Sequence, residues 1–226
     1  MSRQRTSWLL ILTATWWLVG CASTEPPEVQ RLQARAAYER GLTHLRDKQA
    51  ALALSAFQQA ISLDGTVPTY RNTLGVLYLD QLLRPDLALK EFERATELYP
   101  TYAEAHLNTG IALAEMTRWK EAVPAYRKAL GMPTLAVPHI AYQNLGLALY
   151  HLKEYREAEE ALRLSIRLEP NLEGPYYNLG LVLLAEGRKE EARQAFRRAR
   201  DLAPQSVFGQ AASARLKTLE DTPPRP

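Results

Sequence analysis

Cysteine is almost absent from this sequence, which has only Cys21 among its 226 residues. A single cysteine excludes an intramolecular disulfide and any CxxC metal or redox motif. The four histidines are scattered without an HxxxH pair, and the sequence contains no phosphate-binding glycine loop and no nucleophile elbow. We therefore expect a protein that is not an enzyme and that binds neither a metal nor a small-molecule substrate.

A large excess of charge is also missing. Lysine and arginine together number 28 against 25 aspartates and glutamates, which gives a formal net charge of +3. Two of those charges, Arg3 and Arg5, stand in an N-terminal segment that we expect to be removed. The remaining balance gives no reason to expect binding to nucleic acid or to an anionic membrane surface. The mean hydropathy of −0.29 excludes a membrane protein with several spanning helices.

Residues 1–20 have the pattern of a bacterial signal peptide. A positive segment precedes an apolar stretch, residues 8–17, that is too short to cross about 30 Å of hydrocarbon as a stable helix. A small residue, Gly20, then stands directly before Cys21. This arrangement resembles the lipobox of bacterial lipoproteins, in which the cysteine is acylated and becomes the new N-terminus. The alternative is an ordinary signal peptide with an incidental cysteine.

The lipobox resemblance implies that Cys21 carries acyl chains such as palmitate, with no other cofactor. Two or three chains anchor a protein firmly to a bilayer. The next residue is Ala22 rather than aspartate, which by the sorting rule of such lipoproteins implies the periplasmic face of the outer membrane. We expect residues 21–33 to form an acylated, proline-containing tether and residues 221–226 a disordered tail.

Glycine marks an internal repeat in the body of the chain. Five glycines recur at intervals of 34, 35, 36 and 34 residues: Gly41, Gly75, Gly110, Gly146 and Gly180. Alanines recur in the second half of the copies, among them Ala122, Ala158 and Ala192. The spacing divides residues 34–206 into five repeats (34–67, 68–102, 103–138, 139–172 and 173–206). It resembles the tetratricopeptide repeat (TPR), a helix-turn-helix unit of about 34 residues.

The resemblance implies an all-α fold, a right-handed superhelix of TPR hairpins. Glycine and alanine at the repeated positions let the two helices of a hairpin approach closely, so we assign these residues a packing role. Residues 207–220 are predicted to form a C-terminal capping helix. Val207, Ala211, Ala214 and Leu216 are expected to share its inner face.

In TPR proteins the first helix of each repeat faces a concave groove. The fifth and ninth positions of these helices contain no lysine or arginine, which argues against a carboxylate clamp of the kind found in co-chaperones. We expect an apolar groove edged by amides and tyrosines, suited to an apolar protein segment. The alternative is that some of these side chains are buried by the superhelix itself. The predicted groove residues are Tyr38, Leu42, Asn72, Val76, Leu107, Asn108, Ile111, Gln143, Asn144, Leu147, Tyr177, Asn178 and Leu181.

A small lipoprotein made of TPR units resembles the PilF/PilW/Tgl pilotin family of type IV pilus biogenesis. The resemblance implies a protein that binds secretin subunits at the outer membrane and helps them localise and multimerise as the pilus pore. The alternative is a periplasmic TPR adaptor lipoprotein that scaffolds peptidoglycan hydrolases, a protease or another outer-membrane assembly complex.

Overall fold

The computed structural model describes residues 26–220, and these fold into eleven α-helices with no strand among them. The helices are α1 (Glu28–Arg46), α2 (Ala50–Leu63), α3 (Pro68–Asp80), α4 (Pro85–Leu98), α5 (Ala103–Glu115), α6 (Trp119–Leu130), α7 (Pro138–His151), α8 (Tyr155–Leu168), α9 (Glu173–Ala185), α10 (Lys189–Leu202) and α11 (Val207–Glu220). The predicted all-α fold of helical hairpins is confirmed. Within this part of the chain, no helix combines the length and apolarity needed to cross a bilayer.

The predicted signal peptide (residues 1–20), the acylated Cys21 and the tail (residues 221–226) lie outside the described residues. The predicted extent of the tether, residues 21–33, is wrong at its C-terminal end, because residues 28–33 belong to α1. Pro27 caps this helix with an extended ψ of 149°, and its carbonyl accepts from the amide of Gln30 at 2.8 Å. A proline is suited to this place because the first amides of a helix have no intrahelical partner.

The turns inside the hairpins follow one design, with one exception. In four repeats, an amide donates to the carbonyl five residues earlier: Gln49 to His44, Arg118 to Leu113, Glu154 to Leu149 and Arg188 to Leu183. Such a bond closes a helix end when the residue before the donor is in the left-handed region. In the second repeat, the amide of Arg84 donates instead to Tyr78, six residues earlier. This wider turn contains one extra residue, which accounts for the 35-residue spacing that follows Gly75.

The recurring glycines lie where the two helices of a hairpin touch. A Cβ added to Gly110 would lie 2.5 Å from Cε1 and 2.6 Å from Cδ1 of Tyr126. Gly41, Gly75 and Gly180 meet a phenylalanine ring in the same way, and Gly146 meets Leu162. On the facing helices, Ala122, Ala158 and Ala192 are completely buried. A larger side chain at any of these places would separate the two helices.

The hydrophobic core is continuous over most of the array and divided at its N-terminal end. One cluster of buried side chains extends from Ala88 in α4 to Leu219 in α11. Two smaller clusters join the first repeat to α3 of the second, one around Ala37 and Tyr70 and the other around Phe57 and Leu77. Among the contacts between successive repeats, that between α2 and α3 is the smallest. The first repeat is therefore joined to the others less extensively than the later repeats are to one another.

The capping helix α11 packs against both α10 and α9. Its inner face differs from the prediction, since Val207 is 82% exposed and Ala214 is exposed as well. The buried residues are Gly209, Ala212, Leu216 and Leu219. Gly209 explains this rotation, because a Cβ there would overlap the carbonyl oxygen of Ala203. Only a glycine allows the start of α11 to pass so close to the end of α10.

Candidate protein-binding groove

The concave face of the array is formed by the first helix of each repeat. From α3 to α9, each first helix contacts the first helix of the next repeat as well as its own partner. No second helix makes a comparable contact with the second helix of the next repeat among residues 26–220. First helices therefore lie on the inside of the curve, where successive repeats come closest together.

An apolar lane runs along this face. It consists of the ninth residue of each repeat, and all five side chains are partly exposed: Leu42, Val76, Ile111, Leu147 and Leu181. Val76, Ile111 and Leu181 also pack against the main core from outside. These side chains are held in place by their neighbours and still present apolar surface to a ligand. A partner could bury this surface with little rearrangement of the protein.

Polar side chains border the lane and link neighbouring repeats. The side-chain amide of Asn108 donates to Oδ1 of Asn72 at 3.0 Å, and this bond joins α5 to α3. The hydroxyls of Tyr38 and Thr73 lie 2.9 Å apart and join α1 to α3 in the same manner. These links use part of the hydrogen-bonding capacity that a bound peptide backbone would need.

On the next first helix, Gln143 and Asn144 are also partly exposed. Near Asn72, burial and the negative charge of Glu104 raise the pKa of Tyr102, so its hydroxyl remains protonated and able to donate. The amides and hydroxyls along this border can donate to or accept from a peptide.

Two predicted groove residues are not accessible to a ligand. Leu107 is only 4% exposed and belongs to the main core, and Asn178 is only 3% exposed. The fifth position of the repeat is partly exposed where the residue is polar, as at Asn72 and Gln143. Leu107 occupies the same position but is apolar, so burial of its side chain between the repeats is favourable. The amide nitrogen of Asn178 has no hydrogen-bond partner among the described residues.

The C-terminal end of the groove is closed by α11. The ring of Phe208 lies 5.7 Å from that of Tyr177, the predicted groove residue on α9. Phe208 and the side chain of Gln143 both lie against Gly174 at the start of that helix. Phe208 is not among the predicted groove residues, although an aromatic residue at the start of a capping helix is a usable signal for such closure. The open groove therefore extends mainly over the first four repeats.

A second feature that was not predicted from the sequence lies at the edge of the groove between the second and third repeats. It is a hollow of about 410 Å³, which we call the edge hollow. Ile111 of the apolar lane forms part of its wall. Its other lining residues are Leu79, Asp80, Leu83, Pro85 and Glu115. The one-residue increase in repeat spacing was the available sequence signal, because the added residue widens the turn that contains Leu83.

Several polar side chains away from the groove, His106 and Tyr176 among them, form hydrogen bonds to backbone carbonyls. Nε2 of His106 lies 2.9 Å from the carbonyl oxygen of Pro100, which can only accept, so the ring nitrogen donates. Burial lowers the pKa of His106 below its ordinary value, which keeps the ring neutral. Tyr176 makes the same kind of bond to the carbonyl of Pro170 at 3.2 Å. Within residues 26–220, no three histidine, cysteine or acidic side chains are grouped closely enough to bind a metal.

Comparison with protein families identifies the repeat directly. Two family models, both described as tetratricopeptide repeat, match residues 73–132 and residues 139–172 and 175–206. Together they cover more than half of the chain. The first repeat lies outside the matched ranges, although α1 and α2 form a hairpin of the same kind.

Several solved structures share this fold. PilF of Pseudomonas aeruginosa is 24% identical with a TM-score of 0.71, over 86% of this chain and 87% of that one. MamA of Desulfovibrio magneticus RS-1 is 19% identical with a TM-score of 0.70, over 77% and 97%. PilW, described as a widely conserved type IV pilus biogenesis factor, is 19% identical with a TM-score of 0.68, over 82% and 92%. At these identities the likeness shows the fold.

Proposed function

Because this chain belongs to the tetratricopeptide repeat family, whose members are protein-interaction scaffolds, we propose that it is an outer-membrane lipoprotein that acts as a pilotin for the type IV pilus secretin. It would bind secretin subunits and assist their localisation and multimerisation. The observation that carries the proposal is the concave face, with its half-buried apolar lane and its border of amides and tyrosines.

The chemistry of the lane suits a subunit of a membrane pore. Such a subunit exposes apolar segments in the periplasm until it inserts, and a scaffold that covers one of them limits aggregation. An apolar segment laid along the first helices gains by burying Leu42, Val76, Ile111 and Leu147, while its backbone finds donors and acceptors at the border. A lipid on Cys21 would hold this complex at the membrane where the pore assembles.

The likeness to PilF and PilW supports a role in pilus biogenesis, but MamA has the same fold. The pilotin role is therefore favoured by a combination of features rather than by the fold. The combination comprises the lipobox around Cys21, the number of repeats and an open apolar groove.

A deletion strain tests this function. We expect the strain to lack heat-stable secretin multimers and surface pili while secretin monomers remain detectable on immunoblots. The full-length gene should restore both, and a Cys21→Ser gene should restore them poorly because the protein would no longer reach the outer membrane. Normal multimers and pili in the deletion strain would refute the proposal. Co-purification of a peptidoglycan hydrolase in that case would favour the adaptor alternative.

A further inference from the structure

The turn of the second repeat contains an exposed leucine in an unusual backbone conformation. One residue in each hairpin turn has a positive φ, and four of these residues are polar or glycine: Lys48, Thr117, Lys153 and Gly187. The fifth is Leu83, with φ of 52° and a side chain that is 77% exposed. Leucine is uncommon in this conformation, and burial does not compensate for it here. The wide turn therefore presents an aliphatic side chain to solvent beside the groove.

Leu83 forms the rim of the edge hollow, and the wall of the hollow is mainly apolar. Leu79 and Ile111 come from the first helices of adjacent repeats, and Pro85 comes from the start of α4. The hollow is continuous with the apolar lane because Ile111 belongs to both. A ligand that lies along the lane can therefore place one of its side chains in the hollow.

Two carboxylates, Asp80 and Glu115, share the hollow with these apolar groups. Neither forms an ion pair with any of residues 26–220. Both occupy the thirteenth position of their repeats, and the other repeats have Arg46, His151 and Ala185 there. The acidic pair is thus specific to the second and third repeats.

The arginines in the two adjoining turns do not neutralise this pair, because each is held by another carboxylate. Arg84 donates from Nε and from a terminal nitrogen to Asp86, both at 3.0 Å. Arg118 also donates from Nε and from a terminal nitrogen, in this case to Glu121, at 2.7 and 2.6 Å. The charges of Asp80 and Glu115 therefore remain available to a ligand.

We propose that the edge hollow binds an aliphatic side chain of the protein partner that has a lysine or arginine beside it. This inference rests on the proposed function, because it takes the ligand to be a protein segment. It adds the chemical features by which the hollow would prefer a basic segment to an acidic one. The aliphatic side chain is buried against Leu79, Leu83 and Ile111, and the basic group pairs with Asp80 and Glu115. An acidic segment would place like charges together and be rejected.

Peptide binding to the full chain in detergent micelles tests the proposal. The probes are two short fluorescein-labelled helical peptides with the same leucines, one with lysine and the other with glutamate at the remaining positions. Fluorescence anisotropy should show tighter binding of the lysine peptide, with an affinity that falls as salt is added. In the variant Asp80→Asn with Glu115→Gln, we expect affinity for the lysine peptide to fall about fivefold, as for the loss of two exposed ion pairs.

The matched control is Glu154→Gln with Glu169→Gln, which removes the same net charge from exposed sites in the fourth repeat. It should bind the lysine peptide like the wild type. Leu83→Ala should weaken binding of both peptides, and because Leu83 is exposed this variant should keep the wild-type circular dichroism spectrum. Equal losses in the acidic-pair variant and its control would overturn the proposal, as would wild-type affinity in the Leu83 variant.

The deletion strain separates this inference from the proposed function. Normal secretin multimers together with the expected peptide results would refute the pilotin role and leave the hollow assigned to another protein partner. Missing multimers together with no discrimination between the peptides would refute the inference about the hollow alone.

Discussion

Replacing Gly110 with alanine would place a methyl carbon 2.5 Å from Cε1 and 3.0 Å from Cζ of Tyr126. Ordinary carbon contacts are about 3.5–4.0 Å, so the two helices of the third repeat would have to move apart. The Tyr126 ring cannot turn away freely, because it is among the largest completely buried side chains. The substitution therefore acts at the closest approach of α5 and α6.

The expected cost combines two opposing effects. Overpacking a core by a methyl or methylene group costs about 1–3 kcal/mol. Alanine inside a helix is favoured over glycine by roughly 0.5–1 kcal/mol. We therefore expect Gly110→Ala to lower the free energy of unfolding by about 1–2 kcal/mol, which corresponds to a fall in melting temperature of about 3–6 °C for a domain of this size. Thermal and urea denaturation followed by circular dichroism measure both quantities.

The same repeat offers a matched control at Gly131. A Cβ there would lie 3.5 Å from the carbonyl oxygen of Lys128, an ordinary contact, and its φ of −73° suits any residue. Gly131→Ala should therefore leave stability unchanged or raise it slightly by restricting the unfolded chain. If Gly110→Ala were as stable as Gly131→Ala, the packing role of the recurring glycines would be refuted.

A double-mutant cycle isolates the contact between the two side chains. Tyr126→Ala leaves a cavity and should cost about 3–5 kcal/mol, as large aromatic truncations do. Adding Gly110→Ala to it should cost less than the same change in the wild type, since the new methyl group then enters the cavity. Simple addition of the two effects would mean that Gly110 and Tyr126 are not coupled.

Three further predictions concern the lipid, the groove and pH. Cys21→Ser should abolish incorporation of labelled palmitate, and absence of label in the wild type would refute the lipoprotein prediction. Ile111→Asn with Leu147→Asn should prevent capture of secretin from detergent extracts without loss of helicity, because the new amides would be desolvated against an apolar segment. The control Leu168→Asn, at an exposed leucine of α8, should capture secretin like the wild type. Burial lowers the pKa of His106 in the folded protein, so stability should fall as pH drops below about 6.5, where only the unfolded state takes up a proton. His106→Tyr should show a smaller decrease in unfolding midpoint over that pH range.

The repeat spacing was sufficient to predict the hairpins, because the positions that form helix contacts recur with them. The place of Gly110 and Ala122 in the period predicts a packing role for both; Gly110 lies directly against the Tyr126 ring, and Ala122 is completely buried. This part of the fold depends on residues near in sequence. It is repeated five times, so each copy supports the interpretation of the others.

The sequence was less informative where a side chain's depth depends on its neighbours in other repeats. The positions of Leu107 and Asn178 within the repeat predict that both lie on groove-facing helices. These positions do not predict how deeply the two side chains are buried. The inner face of α11 was mispredicted at Val207 because a terminal helix has no following repeat to define its register. Its rotation depends on the close pass of Gly209 over Ala203, a contact that no periodicity reveals.

The division of the core at the N-terminal end determines how the array should respond to a pulling force. The first repeat takes part only in the two small clusters that it shares with α3, and its contact with its neighbour is the least extensive, so α1 and α2 should open before the helices that share the long cluster. In the proposed anchored form, this hairpin lies between the lipid and the part of the groove that the later repeats form. Tension between the membrane and a moving pore subunit would unravel the hairpin first. The hairpin would thus act as an extensible spacer, while the groove of the later repeats kept its shape and its bound partner.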